Sequence, residues 1–268
     1  MSEESWASRL RKLERDGDRF AVEPSAGSQV RLFGGLVLAH TLAAACETID
    51  EPLLPQSLHA YFIRGGTPGA PIDLDVVRVR DGRAFSTRRV TASQGGAAIL
   101  EMIASFHVPE TGEDFQQPAP RRFTPDEAHP IDRMSETDVF ELRGVGETST
   151  FTGPPFWVRV IEPVPEDPIT RACVLAYMSD MGLMATARPD GFFVDSSMPE
   201  DAQRPLIRNA ASLDHALWFH RPFDPVAWHR YEARKLNAND ACGLSAGSFY
   251  DAAGSLIASS AQQALWRV

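Results

Sequence analysis

Asp180 is the residue whose position most demands a chemical explanation. If Ala172–Ser179 is helical, Ile169, Cys173, Ala176 and Asp180 share one face at spacings of three and four. A carboxylate on an apolar stripe is costly unless it is hydrogen-bonded or paired. Held there, desolvation and hydrogen bonds would tune it as a general base. The bland alternative is a carboxylate at a frayed helix end, just before Gly182, pointing to water. Two further polar islands interrupt apolar strands. Ser212, Asp214 and His215 precede the apolar run of SLDHALWFHR, and Gln262 and Gln263 interrupt SLIASSAQQALW. In an alternating strand one of the two glutamines faces inward and needs partners. The plain readings are a strand or turn serine and an interface glutamine.

Other chemistries find little support. GLSAG, Gly243 to Gly247, matches G-x-S-x-G. A nucleophile elbow needs a helix after its Ser and a His later in the chain. Here Ser245 leads into a strand-like hairpin, and the last histidine is His229. No HxxxH or HExxH spacing marks a metal site, and no metal or cofactor is expected. Cys46, Cys173 and Cys242 have no CxxC spacing, which argues against a disulfide framework or a thiolate zinc site. Arg78, Arg80, Arg83, Arg88 and Arg89 cluster. The alternation Val77-Arg78-Val79-Arg80 reads first as a solvated sheet face, and second as an anion-binding patch for a nucleotide phosphate.

The net charge of −10 argues against nucleic acid as a partner. The charged first twenty residues do not read as a signal peptide. No stretch approaches 18 uncharged apolar residues, so no membrane span is expected. Sparse cysteines fit a reducing, cytoplasmic setting.

Two uncharged segments organise the chain. Gly34–Cys46 and Ala172–Ser179 are rich in Ala and Leu, and Asp167-Pro168 offers an N-cap and a first helical residue. A helix apolar all round should be buried on all sides. Each is followed by strand-like stretches: SLHAYFI, IDLDVVRV, AFSTRRVTA and AAILEMIASFH, then SLDHALWFH, HRYEARKL, LSAGSFYD and SLIASSAQQALWRV. Asp81-Gly82 and Gly95-Gly96 mark hairpin turns. Aligned on the shared His-Ala of SLHAYF and LDHALW, the halves repeat one order of elements. In this alignment Asp180 faces Ala43 and Gln262 faces Ala104, so the polar set belongs to one half, implying one active site per chain. An apolar helix wrapped by an antiparallel sheet suits an α+β double hot-dog. Its expected modules are 1–113 and 151–268, joined by a 114–150 linker with prolines at 118, 120, 125 and 130.

These pieces, above all RDGRAFSTRRV with LDHALWFHRPF, resemble the TesB-like acyl-CoA thioesterase II family. The likeness covers nearly the whole chain outside the linker. It implies hydrolysis of fatty-acyl-CoA to free acid and CoA, with acyl-CoA as the partner molecule and a homodimer or larger homo-oligomer as the assembly. The family holds its attacking water with an Asp, a Thr or Ser, and a Gln, forming no covalent intermediate. By the YxSD motif the Asp maps to Asp180, following Tyr177-Met178-Ser179. The hydroxyl before xDH maps to Ser212, where many relatives have Thr, and the Gln maps to Gln262. The family's first-helix GGQVLAQ departs here, with Leu36 and His40 replacing both glutamines, so some substrate-side polarity is expected to be lost. Gly191 to Pro205 is also unlike the family. Two rivals remain: a hot-dog hydratase or dehydratase using Asp214 and His215 as acid and base, and a non-catalytic acyl-binding hot-dog. The joint presence of Asp180, Ser212 and Gln262 argues against the second.

Overall fold

The computed structural model describes residues 4–24, 31–50, 52–120, 123–131, 139–145, 153–189 and 210–267. The first half contains α1 (Trp6–Arg9), β1 (Glu14–Asp16), β2 (Arg19–Val22), α2 (Gly34–Cys46), β3 (Leu54–Phe62), β4 (Ile72–Arg80), β5 (Phe85–Gln94) and β6 (Ala97–His107). After it come a 3₁₀ turn at Pro125–Glu127, β7 (His129–Pro130), β8 (Phe140–Gly144) and β9 (Phe156–Val160). The chain continues with α3 (Pro168–Ser179), α4 (Leu183–Thr186), β10 (Ala210–Ser212), β11 (Asp214–Phe219), β12 (His229–Asn239), β13 (Cys242–Asp251) and β14 (Leu256–Trp266). The Gly191 to Pro205 stretch singled out above lies outside the described residues.

Among the described residues the strands form one antiparallel sheet in the order β1-β2-β4-β5-β6-β3-β11-β14-β13-β12-β9-β8-β7, with β10 beside β14. Its two halves join where β3 pairs β11, Leu58 opposite Leu217. The α+β double hot-dog is therefore the architecture, with α2 and α3 as its two central helices. Apart from its first turn α2 is wholly buried, as its all-round apolar sequence requires. Asp167 caps α3, accepting hydrogen bonds from the Ile169 and Thr170 N–H groups and the Thr170 hydroxyl.

The repeat is real, but its register differs from the His-Ala alignment. The Ile63 and Arg64 N–H groups both donate to the Ile99 carbonyl, and those of His220 and Arg221 both donate to Ile257. Phe62 therefore corresponds to Phe219, Leu58 to His215 and Pro55 to Ser212. His59 faces outward, edge-on to Trp218 at 5.3 Å, whereas His215 is buried. A one-residue slip changes the face of every side chain, so the shared dipeptide pairs an outward residue with an inward one. Leu58 lies opposite Ala104 in the β3–β6 register, so Ala104 does match Gln262. By helix ends, Asp180 at the end of α3 matches Glu47 at the end of α2, not Ala43.

Part of the 114–150 segment expected as a linker is regular. β7 and β8 lie in it, and β8 pairs β9 while burying Phe140 and Leu142. The Phe-Glu-Leu alternation is a half-buried strand pattern.

Candidate active site

The site forms where the end of α3 meets the start of α2. Asp180 is the C-cap of α3 and keeps helical dihedrals, φ −85° and ψ −5°. Gly182, at φ 89°, then turns the chain into α4. Asp180 lies at a helix end but not in water, being only 7% exposed. The Gly35 N–H in the first turn of α2 donates to its carboxylate. Both glycines there are demanded by space. A Cβ on Gly34 would lie 2.7 Å from Asp180 Oδ2, and one on Gly35 would lie 2.3 Å from the Tyr177 carbonyl oxygen. The N-terminal turn of a helix favours an anion, so α2 offsets part of the carboxylate's burial.

Ser212 and Gln262 converge on the same spot. Gln262 sits in β14 with no exposed surface, and β10 brings Ser212 alongside that strand. Gln262 Nε2 donates to Ser212 Oγ at 2.8 Å, and the same amide hydrogen-bonds Asp180. One carboxamide thus gathers all three expected residues. Burial pushes the Asp180 carboxyl up to about 7, with the bonds from Gln262 and Gly35 holding it back. A carboxylate poised near neutrality can take a proton from water and give it back.

Behind this trio lies His215, which sequence reasoning connected only with a rival reaction. It is 1% exposed, its Nδ1 2.7 Å from Gln262 Oε1 and its Nε2 2.8 Å from Ser179 Oγ. Burial lowers its pKa to about 4, so the ring is neutral. Tyr231 donates to the Ser179 carbonyl at 2.7 Å and meets Ser260 Oγ at 2.9 Å. Asp214 leaves His215 alone: its Oδ1 accepts the Gln263 N–H at 2.7 Å. The acid–base pair a hydratase would need is not assembled.

Ser245 is fully buried, its hydroxyl donating to the Leu183 carbonyl at 3.0 Å, which suits packing and not attack. The five arginines do not make one surface. Arg88 is 1% exposed and points inward, donating to Thr48 Oγ1 at 2.7 Å and the Thr48 carbonyl at 2.8 Å while pairing with Asp81. Arg78 pairs with Asp18 at 2.8 Å. His40 is buried, its ring nitrogen against the Leu10 carbonyl. Among the described residues no group of three or more His, Cys, Asp or Glu could hold a metal.

The opposite end of the helix pair has the same frame without the chemistry. Glu47 ends α2, but Arg11 bridges it to Asp167, both at 2.6 Å. Pro55, Leu58 and Ala104 stand where Ser212, His215 and Gln262 stand in the second half. A cavity of about 390 Å³ opens there, lined by Pro55, Pro168, Arg171, Leu175, Phe219 and Phe223 among others.

Comparison with known proteins agrees over nearly the whole chain. Residues 22–107 match the family described as the acyl-CoA thioesterase N-terminal domain, and residues 109–266 match the corresponding C-terminal domain. The chain is 33% identical to acyl-CoA thioesterase 2 of Haemophilus influenzae over 96% of each chain. It is 30% identical to mouse acyl-coenzyme A thioesterase 8, covering 89% of this chain and 81% of that one. The crystal structure of the acyl-CoA thioesterase II TesB2 from Mycobacterium marinum superposes with a TM-score of 0.80 at 31% identity, covering 97% of this chain and 98% of that one.

Proposed function

The chain belongs to the acyl-CoA thioesterase family and hydrolyses acyl-CoA thioesters, and from that premise we propose that Asp180, Ser212 and Gln262 hold the attacking water. The observation that carries this reading is the single Gln262 carboxamide joined to both the Asp180 carboxylate and the Ser212 hydroxyl. Asp180 accepts a proton from the water as its oxygen attacks the thioester carbonyl carbon. Ser212, having accepted the Gln262 N–H, keeps its own hydrogen to fix the water's second lone pair. The C–S bond then breaks and the proton returns to the thiolate sulfur, giving free acid and CoA. Base catalysis of this kind supplies about 100-fold or more, and orientation several kcal/mol besides. The first turn of α2 supplies positive dipole beside the reacting carbonyl.

The relatives' names give acyl-CoA as the substrate class, and we take the acyl group to be a fatty one. Its test is a panel of acyl-CoA esters of rising chain length assayed for thiol release. Release from none of them would overturn the reading. The assembly is a homodimer or larger, supported by exposed apolar residues on the outer sheet face, among them Val77, Ile103 and Tyr61. Three unpaired cysteines support a reducing, cytoplasmic setting.

A further inference from the structure

We infer that His215 is a positioning residue: carrying its proton on Nδ1, it holds the Gln262 carboxamide so that both amide hydrogens face Asp180 and Ser212. The hydrogen-bond assignment stands on geometry, and only its kinetic consequence rests on the water mechanism proposed above.

Four side chains form a line, with Ser179, His215 and Gln262 buried and Ser212 half-buried. Ser179 Oγ lies 2.8 Å from His215 Nε2, His215 Nδ1 lies 2.7 Å from Gln262 Oε1, and Gln262 Nε2 lies 2.8 Å from Ser212 Oγ. An amide oxygen can only accept, so Nδ1 must carry the hydrogen. A neutral ring has one such hydrogen, which leaves Nε2 as an acceptor. Ser179 is the donor it faces. The Ser179 hydroxyl also donates to the Ala176 carbonyl at 2.8 Å, so its one hydrogen is shared between that oxygen and the ring nitrogen.

The reverse tautomer fails by counting. It sets the Nδ1 lone pair against Oε1 at 2.7 Å, two acceptors face to face. Turning the amide over would relieve that contact. It would then aim Oε1 at the Asp180 carboxylate and leave Ser212 without its donor. A carboxamide has nearly the same shape either way round, so packing alone cannot choose. The ring proton of His215 chooses, and burial of the ring, which holds its pKa near 4, keeps that proton single at neutral pH. Toward Asp180 itself face the Gly35 N–H from α2 and the Gln262 amide from β14. The Tyr231 phenol from β12, raised by burial, is the nearby titratable group.

The test uses two conservative variants and one spectrum. An Asn amide nitrogen falls near the ring Nδ1 position and a Gln amide nitrogen near Nε2. His215→Asn should therefore keep most of kcat. His215→Gln should lose about 10-fold or more in kcat, the worth of one buried hydrogen bond, with KM little changed. Its acid limb of kcat/KM should move to higher pH, because Asp180 loses a donor that holds its pKa down. Equal losses in the two variants, with both folded, would overturn the inference. The ¹⁵N ring shifts of the unmodified enzyme, assigned by the signal missing from His215→Asn, should show the Nδ1–H form at pH 7. An Nε2–H form would overturn the inference whatever the variants do. Should Asp180→Asn retain full turnover, the water mechanism falls, while the Nδ1–H signal still upholds the orientation.

Discussion

The Gly35 N–H at the start of α2 hydrogen-bonds the Asp180 carboxylate at the end of α3, so the proposed base is held by a backbone from the other half of the chain. Gly34→Ala tests this contact. Its Cβ would lie 2.7 Å from Oδ2 and 2.9 Å from the Phe62 ring, so the carboxylate must shift. Turnover should fall about 10-fold or more, since small displacements of a reacting group cost heavily. Steady-state kinetics beside a thermal melt separates this from unfolding.

Asp180→Asn keeps the shape and removes the base. Its kcat should fall about 100-fold or more. Ser212→Ala and Gln262→Ala should each cost less, and the three losses should be strongly non-additive because the residues act as a unit. In the unmodified enzyme kcat/KM should rise with pH through about 7 as Asp180 ionises. Acyl label trapped on the protein in a rapid quench would refute the water mechanism.

Two carboxylates should move stability in opposite directions with pH. Burial raises Asp180 in the fold, so its contribution is complete at acid pH and is lost as pH rises from about 4 toward 7. Asp180→Asn should therefore be more stable than the parent at pH 8, with the gain shrinking toward pH 5. Burial also pushes Asp167 up, but its Thr170 hydrogen bonds and Arg11 hold it below its ordinary value. Its contribution is present above that ordinary value and is lost as pH falls through the lower one. Asp167→Ala also removes the cap of α3 and should cost about 1–2 kcal/mol at pH 7, less in acid. Urea midpoints at several pH values check both signs.

The β12–β13 turn holds Asp240 and Ala241 at φ 49° and 56°. An alanine in the left-handed region is strained by about 1–2 kcal/mol. Ala241→Gly should stabilise the protein by about 1 kcal/mol or somewhat less, because glycine gives back part of the gain as unfolded-state entropy. The change in urea midpoint measures it.

Light scattering at micromolar concentration should give a mass of at least two chains. Replacing Val77 and Ile103, both on the outer sheet face, by Lys should lower it. A monomeric parent would overturn the proposed assembly.

Much of this fold is written locally. Asp-Pro begins α3 as expected, Gly95-Gly96 makes its turn, and within each half three strands, β4-β5-β6 and β12-β13-β14, pair in chain order. The position of Asp180 was legible because a carboxylate on an apolar helix face has few tolerable explanations. What stayed hidden depends on pairing at a distance. The inward turn of Arg88 needs Thr48 and Asp81 to satisfy it. Glu47 matches Asp180 only once both helix ends are seen. The partnership of His215 with Gln262 depends on strand register, and the shared His-Ala dipeptide pointed to the wrong face. β8 is five residues long and becomes a strand only against β9.

The meeting of Gly34 and Gly35 with Asp180 ties the inheritance of the two halves together. A substitution at either glycine of the first half, which carries none of the three proposed water-holding side chains, would press on the second half's carboxylate or its helix. Neither half, expressed by itself, holds a complete centre. The glycine pair and the acid thus bind the two halves into one unit, although their elements repeat one order.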